Sequence, residues 1–163
     1  MPQYTNILFC TDFSEDANYA FLHAAGLARK YGAKLHILHI PHSPFVYSKN
    51  IVDENIPEGK AEDGQAFFDE EVANEAHLQL RMAYKDKLSG IESCEFVVAC
   101  GAPDIEIIRY AKKNDIDLIV MGALGKSETD QPGGTVASVS KYAHCHVMAI
   151  RNPLRQFTLP IRG

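Results

Sequence analysis

Residues 5–40 read TNILFCTDFSEDANYAFLHAAGLARKYGAKLHILHI, and their pattern decides the fold class. Residues 5–11, TNILFCT, and 33–40, AKLHILHI, are apolar runs of strand length with little alternation, as expected of strands covered on both faces. Between them Ser14 suits a helix N-cap, Glu15 and Asp16 fall in the first turn where the helix dipole favours carboxylates, and Gly32 suits the end. Ala17, Ala20, Phe21, Ala24, Ala28 and Tyr31 recur at steps of three and four, so the helix carries one apolar stripe. Two buried strands joined through a helix form a parallel pair with a right-handed crossover.

The same rhythm continues to residue 150. Phe68, Val72, Ala76, Leu80, Ala83 and Leu88 mark a long helix, and 94–100, CEFVVAC, a third strand. Pro103 suits the first turn of a short helix with Ile105, Ile108 and Ala111 facing inward. Residues 117–122, DLIVMG, make a fourth strand, a last helix is expected from Thr135 to Tyr142, and 146–150, HVMAI, make a fifth strand. The reading is therefore an α/β, single-domain, doubly wound parallel sheet, in which a ligand sits at the carboxyl ends of the strands where their order reverses. Residues 41–63 form a long polar connection, read as disorder or a variable cover ahead of a functional lid. Residues 152–163 form a tail whose alternating Phe157, Leu159 and Ile161 suggest an extended segment laid on its own domain or on a partner.

Composition narrows the function classes. With 163 residues the chain is large enough for one core, and its net charge of −5 with 16 scattered Lys and Arg argues against a general nucleic-acid binder. No apolar run is long enough to span a bilayer, and MPQYTNILFC lacks the basic and apolar regions of an export signal, so the expected location is cytoplasmic. The 4 cysteines lie far apart with no Cys-x-x-Cys pair, and Cys10 and Cys145 read as small core residues.

The stretch 121–135, MGALGKSETDQPGGT, contains GKS but is not an ATPase phosphate loop. That loop needs a glycine five residues before the glycine of GKS, where this chain has Val120, and it belongs after the first strand rather than the fourth. What remains is Gly122, Gly125 and, after a gap, Gly134 and Thr135 opening a helix. Glycine at a strand end admits close approach, and a helix start offers unpaired N–H groups to an anion. The spacing serves a small-anion cradle and a plain turn equally. Asp12 ends the first strand, where a carboxylate can accept hydrogen bonds from ribose hydroxyls or can simply begin the turn ahead of Ser14.

Taken together, ILFCTDFSEDANYAFLHAAGLARKYGAKLHILHI, GAPDIEIIRYA and DLIVMGALG with GGTVASVSKYAHCHVMAIR resemble the universal stress protein family, over about residues 4–151. The resemblance implies a Rossmann-like five-stranded sheet of order 3-2-1-4-5 and a homodimer joined through the last strand. It also implies ATP or another adenine nucleotide, with Mg²⁺ as a companion, held through a pattern G-2x-G-9x-G-(S/T). Carried over by position, Thr11, Asp12, Phe13, Ile40, Met121 and Gly122 would seat the adenosine. Gly125, Lys126, Ser127, Gly134, Thr135 and Val136 would hold the phosphates. Here the second gap is eight residues and contains Glu128 and Asp130, whose charges oppose a triphosphate unless a cation lies between. The implied role is sensing or regulation in a stress response, through an unidentified protein partner. The alternative is a nucleotide-free interaction module of the same fold.

No catalytic set stands out, because no base or nucleophile is assigned toward a phosphorus, so any ATPase activity is expected to be slow. His39 and His42, and His144 and His146, lack a third converging ligand and read as ordinary residues rather than a metal site.

Overall fold

The structure is a computed structural model that describes residues 3–41, 60–124 and 134–154, with side chains outside 60–69. Five strands alternate with helices. They are β1 (Asn6–Thr11), β2 (Lys34–His39), β3 (Cys94–Val98), β4 (Leu118–Gly122) and β5 (His146–Ile150). The helices are α1 (Glu15–Tyr31), α2 (Lys60–Tyr84), α3 (Pro103–Lys113) and α4 (Gly134–Tyr142), with a short 3-10 turn at Lys85–Lys87. The sheet has the order β3-β2-β1-β4-β5, and every neighbouring pair is parallel. Strand order therefore reverses between β1 and β4, where Cys10 pairs with Met121.

Side-chain alternation along the central strands sorts the core into two layers. Ile7, Phe9, Leu35, Ile37, Leu118 and Val120 face α1 and α2, where Phe21, Ala24, Ala28, Leu80 and Tyr84 meet them. Leu8, Cys10, Leu38, Ile119 and Met121 face the other way, onto Ile107 and Ala111 of α3 and Val139 of α4. Each fully buried Leu, Ile or Phe in these layers contributes about 2 kcal/mol.

The ends of α1 form as its sequence dictates. Ser14 Oγ accepts the Ala17 N–H at 3.2 Å, Glu15 and Asp16 occupy the first turn, and Gly32 at φ 63° donates its N–H to the Ala28 carbonyl. Arg29 in the last turn reaches out to the carbonyls of Ser89 (2.6 Å) and Lys87 (2.9 Å), fixing the turn before β3. Asp117 caps the start of β1 by accepting the N–H groups of Thr5 and Asn6 at 2.7 and 2.8 Å.

Several expected boundaries shift. Residues 60–63, assigned to the long connection, belong to α2, and Leu88 lies beyond that helix, after the 3-10 turn. The third strand stops at Val98, and the last helix starts at Gly134. Ile105 points outward at 53% exposure, and Ile107, one helical turn before the buried Ala111, takes the inward position. Phe157, Leu159 and Ile161 lie outside the described residues, whereas Asn152, the first residue of the expected tail, is buried.

Candidate nucleotide site

The carboxyl ends of β1 and β4 bring Asp12 and Phe13 to the same mouth as Met121 and Gly122, with the start of α4 beyond β4. Asp12 Oδ1 accepts the Ser14 N–H at 3.0 Å, so one carboxylate oxygen builds the turn into α1. Phe13 takes φ 63°, a left-handed conformation that costs a non-glycine residue about 1 kcal/mol or more. Its N–H donates to Thr11 Oγ1 at 3.0 Å, and its ring lies 4.6 Å from the His39 ring and 6.4 Å from Tyr84, stacked on it.

Thr11 places its hydroxyl 2.8 Å from that of Tyr84, the last residue of α2, which in turn donates to Asn18 Oδ1 at 3.4 Å. Its carbonyl accepts from His39 Nδ1 at 2.8 Å. Thr11 is therefore a buried support of the β1–α1 turn, and its hydroxyl is engaged by protein. Burial pushes the Tyr84 phenol up, so the hydroxyl remains protonated in this chain of bonds.

Gly122 is glycine for a reason that spacing does not reveal. A Cβ there would stand 2.8 Å from Ala17 N and 2.9 Å from the Asp16 carbonyl carbon, so the first turn of α1 occupies the side that a ligand was expected to approach. The end of β4 thereby packs directly against the start of α1. Gly134 is different: no described atom lies within 4 Å of the position its Cβ would take, and its φ is not in the region that requires glycine. Thr135 and Val136 follow it, half-buried, in the first turn of α4. Gly125, Lys126 and Ser127 lie outside the described residues. Ile40, half-buried, follows the end of β2.

Asp16, beside this mouth in the first turn of α1, has a structural role that sequence reasoning missed. It was read only as a favourable charge for the helix dipole, yet it is fully buried and accepts the N–H groups of Leu124 and Asn152, each at 3.1 Å. No local pattern exposes this, because the donors lie 108 and 136 residues away.

A second polar cluster sits at the opposite end of the strands. His36, buried on β2, has Nδ1 2.7 Å from the Tyr110 hydroxyl and Nε2 3.1 Å from Asn6 Oδ1. With Asn6 Oδ1 accepting, Nε2 carries the hydrogen and Nδ1 accepts from Tyr110. Burial lowers the His36 pKa, with Lys34 acting in the same sense and Glu95, 4.0 Å away, opposing. Tyr110 is pushed up to about 12 by burial and Glu95. His144 and His146 are exposed near the sheet edge, and among the described residues no three His, Cys, Asp or Glu converge as a metal requires. Burial raises the Cys10 and Cys145 thiols, which suits core packing rather than redox chemistry.

The universal stress protein family model matches residues 3–151. The chain belongs to that family. A universal stress protein of Methanocaldococcus jannaschii is 28% identical over 156 residues, covering 94% of this chain and 85% of that protein. The solved universal stress protein UspA from Lactobacillus plantarum aligns with a TM-score of 0.61 and 26% identity, over 93% of this chain and 100% of that one. A universal stress protein solved in complex with cAMP aligns with a TM-score of 0.57 and 22% identity, over 91% and 98% of the two chains. The universal stress protein described here thus has the Rossmann-like α/β fold and the strand order that the resemblance implied. Among its described residues no helix is long and apolar enough to cross a membrane.

Proposed function

We propose that this universal stress protein binds an adenine nucleotide at the mouth between β1 and β4 and serves a sensing or regulatory role in a cytoplasmic stress response. The observation that carries this reading is Gly134. Neither backbone conformation nor contact with a described neighbour requires glycine at the first residue of α4, and a phosphate approaching the unpaired N–H groups of that turn would use the space. Asp12 and Phe13 across the mouth offer a carboxylate and an aromatic edge to a sugar and a base. A family relative solved with cAMP supports the ligand class.

In this reading Met121, Gly122 and Ile40 contribute backbone and apolar walls. Thr11 acts through its support of the turn, and Gly125, Lys126, Ser127, Thr135 and Val136 surround the phosphates, with Mg²⁺ offsetting Glu128 and Asp130. Hydrolysis is slow, because nothing in the set acts on the transition state alone. Two copies pair through β5, an edge strand of the sheet. The nucleotide-free interaction module is the competing reading.

The test is titration of the parent and of Gly134→Val with ATP, ADP, AMP and cAMP. Saturable binding by the parent, lost in Gly134→Val with the melting temperature retained, is expected. Equal binding by both proteins removes the phosphate assignment, and no binding by the parent favours the nucleotide-free module.

A further inference from the structure

Asp16 is the one carboxylate among the described residues that is withdrawn fully from water. Such a group is costly to bury unless hydrogen bonds replace its hydration, and here Oδ2 takes the Leu124 N–H while Oδ1 takes the Asn152 N–H. Neither donor belongs to a helix or strand. Leu124 lies two residues past β4, at the entrance to the glycine-rich loop, and Asn152 lies two residues past β5. The last rung between these ends is the Ala123 N–H on the Ile150 carbonyl at 2.8 Å.

Asn152 is fastened in its turn. Its Nδ2 donates to Glu15 Oε2 at 3.1 Å, and its Oδ1 accepts the Leu154 N–H at 2.9 Å. A closed ring results: first turn of α1, loop entrance after β4, segment after β5, and back to α1. Gly122 belongs to the same joint, because the missing Cβ lets β4 come close enough to Asp16 for the bond to form.

We propose that Asp16 is a coupling residue, through which the segment leaving β5 sets the position of Leu124, just past β4, and hence the affinity of the mouth for nucleotide. The ligand half of this inference rests on the nucleotide reading; the coupling half is a property of the unliganded protein. When residues 152–154 are held, both oxygens of Asp16 are engaged and the loop entrance is fixed. When they loosen, the carboxylate is left buried with one donor, and its remaining bond to Leu124 shifts toward solvent. By linkage the converse holds, and a ligand that fixes Leu124 also holds residues 152–154.

The test uses the full chain and two variants. Asn152→Ala removes the bonds to Glu15 and Leu154 but leaves its own backbone N–H in place, and Asp16→Asn keeps the shape of the carboxylate but sacrifices one acceptor. Amide hydrogen exchange is read by NMR without ligand. Exchange at Leu124 is expected to rise about tenfold in Asn152→Ala, and Asp16→Asn to speed Leu124, Asn152 or both, with the core amides of Ile7 and Leu8 unchanged. An unchanged Leu124 in Asn152→Ala overturns the coupling, as does an Asp16→Asn variant in which both amides keep their protection. ATP titration adds a readout that a merely structural role would not move. Asn152→Ala, whose lost side-chain bonds run to Glu15 and Leu154 and to no residue assigned to the nucleotide, weakens ATP by about tenfold; affinity equal to that of a parent that does bind ATP overturns the regulatory step. A parent that binds no nucleotide defeats the nucleotide reading and the regulatory step with it, and the exchange data then decide the coupling alone.

Discussion

Replacing Gly122 by alanine tests the close joint between β4 and α1 with a single methyl group. The added carbon would stand 2.8 Å from Ala17 N, 2.9 Å from the Asp16 carbonyl carbon and 3.0 Å from Asp16 Cβ. Relaxed contacts between such atoms lie at about 3.5–4.0 Å, so the two elements must separate by roughly half an ångström or more. Two of the three opposing atoms are backbone, and β4 is held on its other side by its pairing with β1. Overpacking of this kind costs about 1–3 kcal/mol. In a chain of this length about 2 kcal/mol lowers the melting temperature by roughly 4–8 °C. Urea unfolding followed by circular dichroism, with the slope checked for constancy, gives the free energy directly. Gly134→Ala is the matched control, since no described atom lies within 4 Å of its Cβ, and it should change stability by less than about 1 kcal/mol. A Gly122→Ala protein as stable as the parent refutes the packing explanation of this glycine.

Two further predictions concern other parts of the molecule. Tyr84→Phe leaves the buried Thr11 hydroxyl without its 2.8 Å partner and should cost about 1–2 kcal/mol in urea unfolding, with an unchanged midpoint counting against the supporting chain. His36 has a folded pKa below its ordinary value near 6.5, so the unfolded chain binds the proton first. Its contribution to stability is full above about pH 6.5 and is lost as pH falls from there through the lowered folded value. Melting temperatures between pH 7.5 and 5 should fall more steeply for the parent than for His36→Gln, and equal slopes would contradict the assignment.

The strands were legible because buried parallel strands are nearly continuous apolar runs, and ILFC, LHILHI and LIVM carry no competing period. Ser14 and Gly32 marked the limits of α1 because capping is local chemistry. The strand order came from the family resemblance, since periodicity alone does not say which strands are neighbours. Ile105 was misplaced because steps of three back from Ala111 lead to it, whereas the buried stripe steps by four from Ala111 to Ile107. Tyr84 was passed over although it completes the four-residue steps of Ala76 and Leu80, and that spacing was the available signal. The carboxylate of Asp16 and the reason for Gly122 were not legible, because both are defined by backbone that the fold brings from the far end of the chain.

The central claim is that an adenine nucleotide sits at the mouth between β1 and β4. Chemical-shift mapping of the amide resonances during addition of ATP tests it most directly. Saturable shifts are predicted at Asp12, Phe13, Gly122, Gly134 and Thr135, with Asn6 and Asp117 at the opposite end of the strands unmoved. Shifts confined to other surfaces, or none at millimolar ATP, would contradict the account.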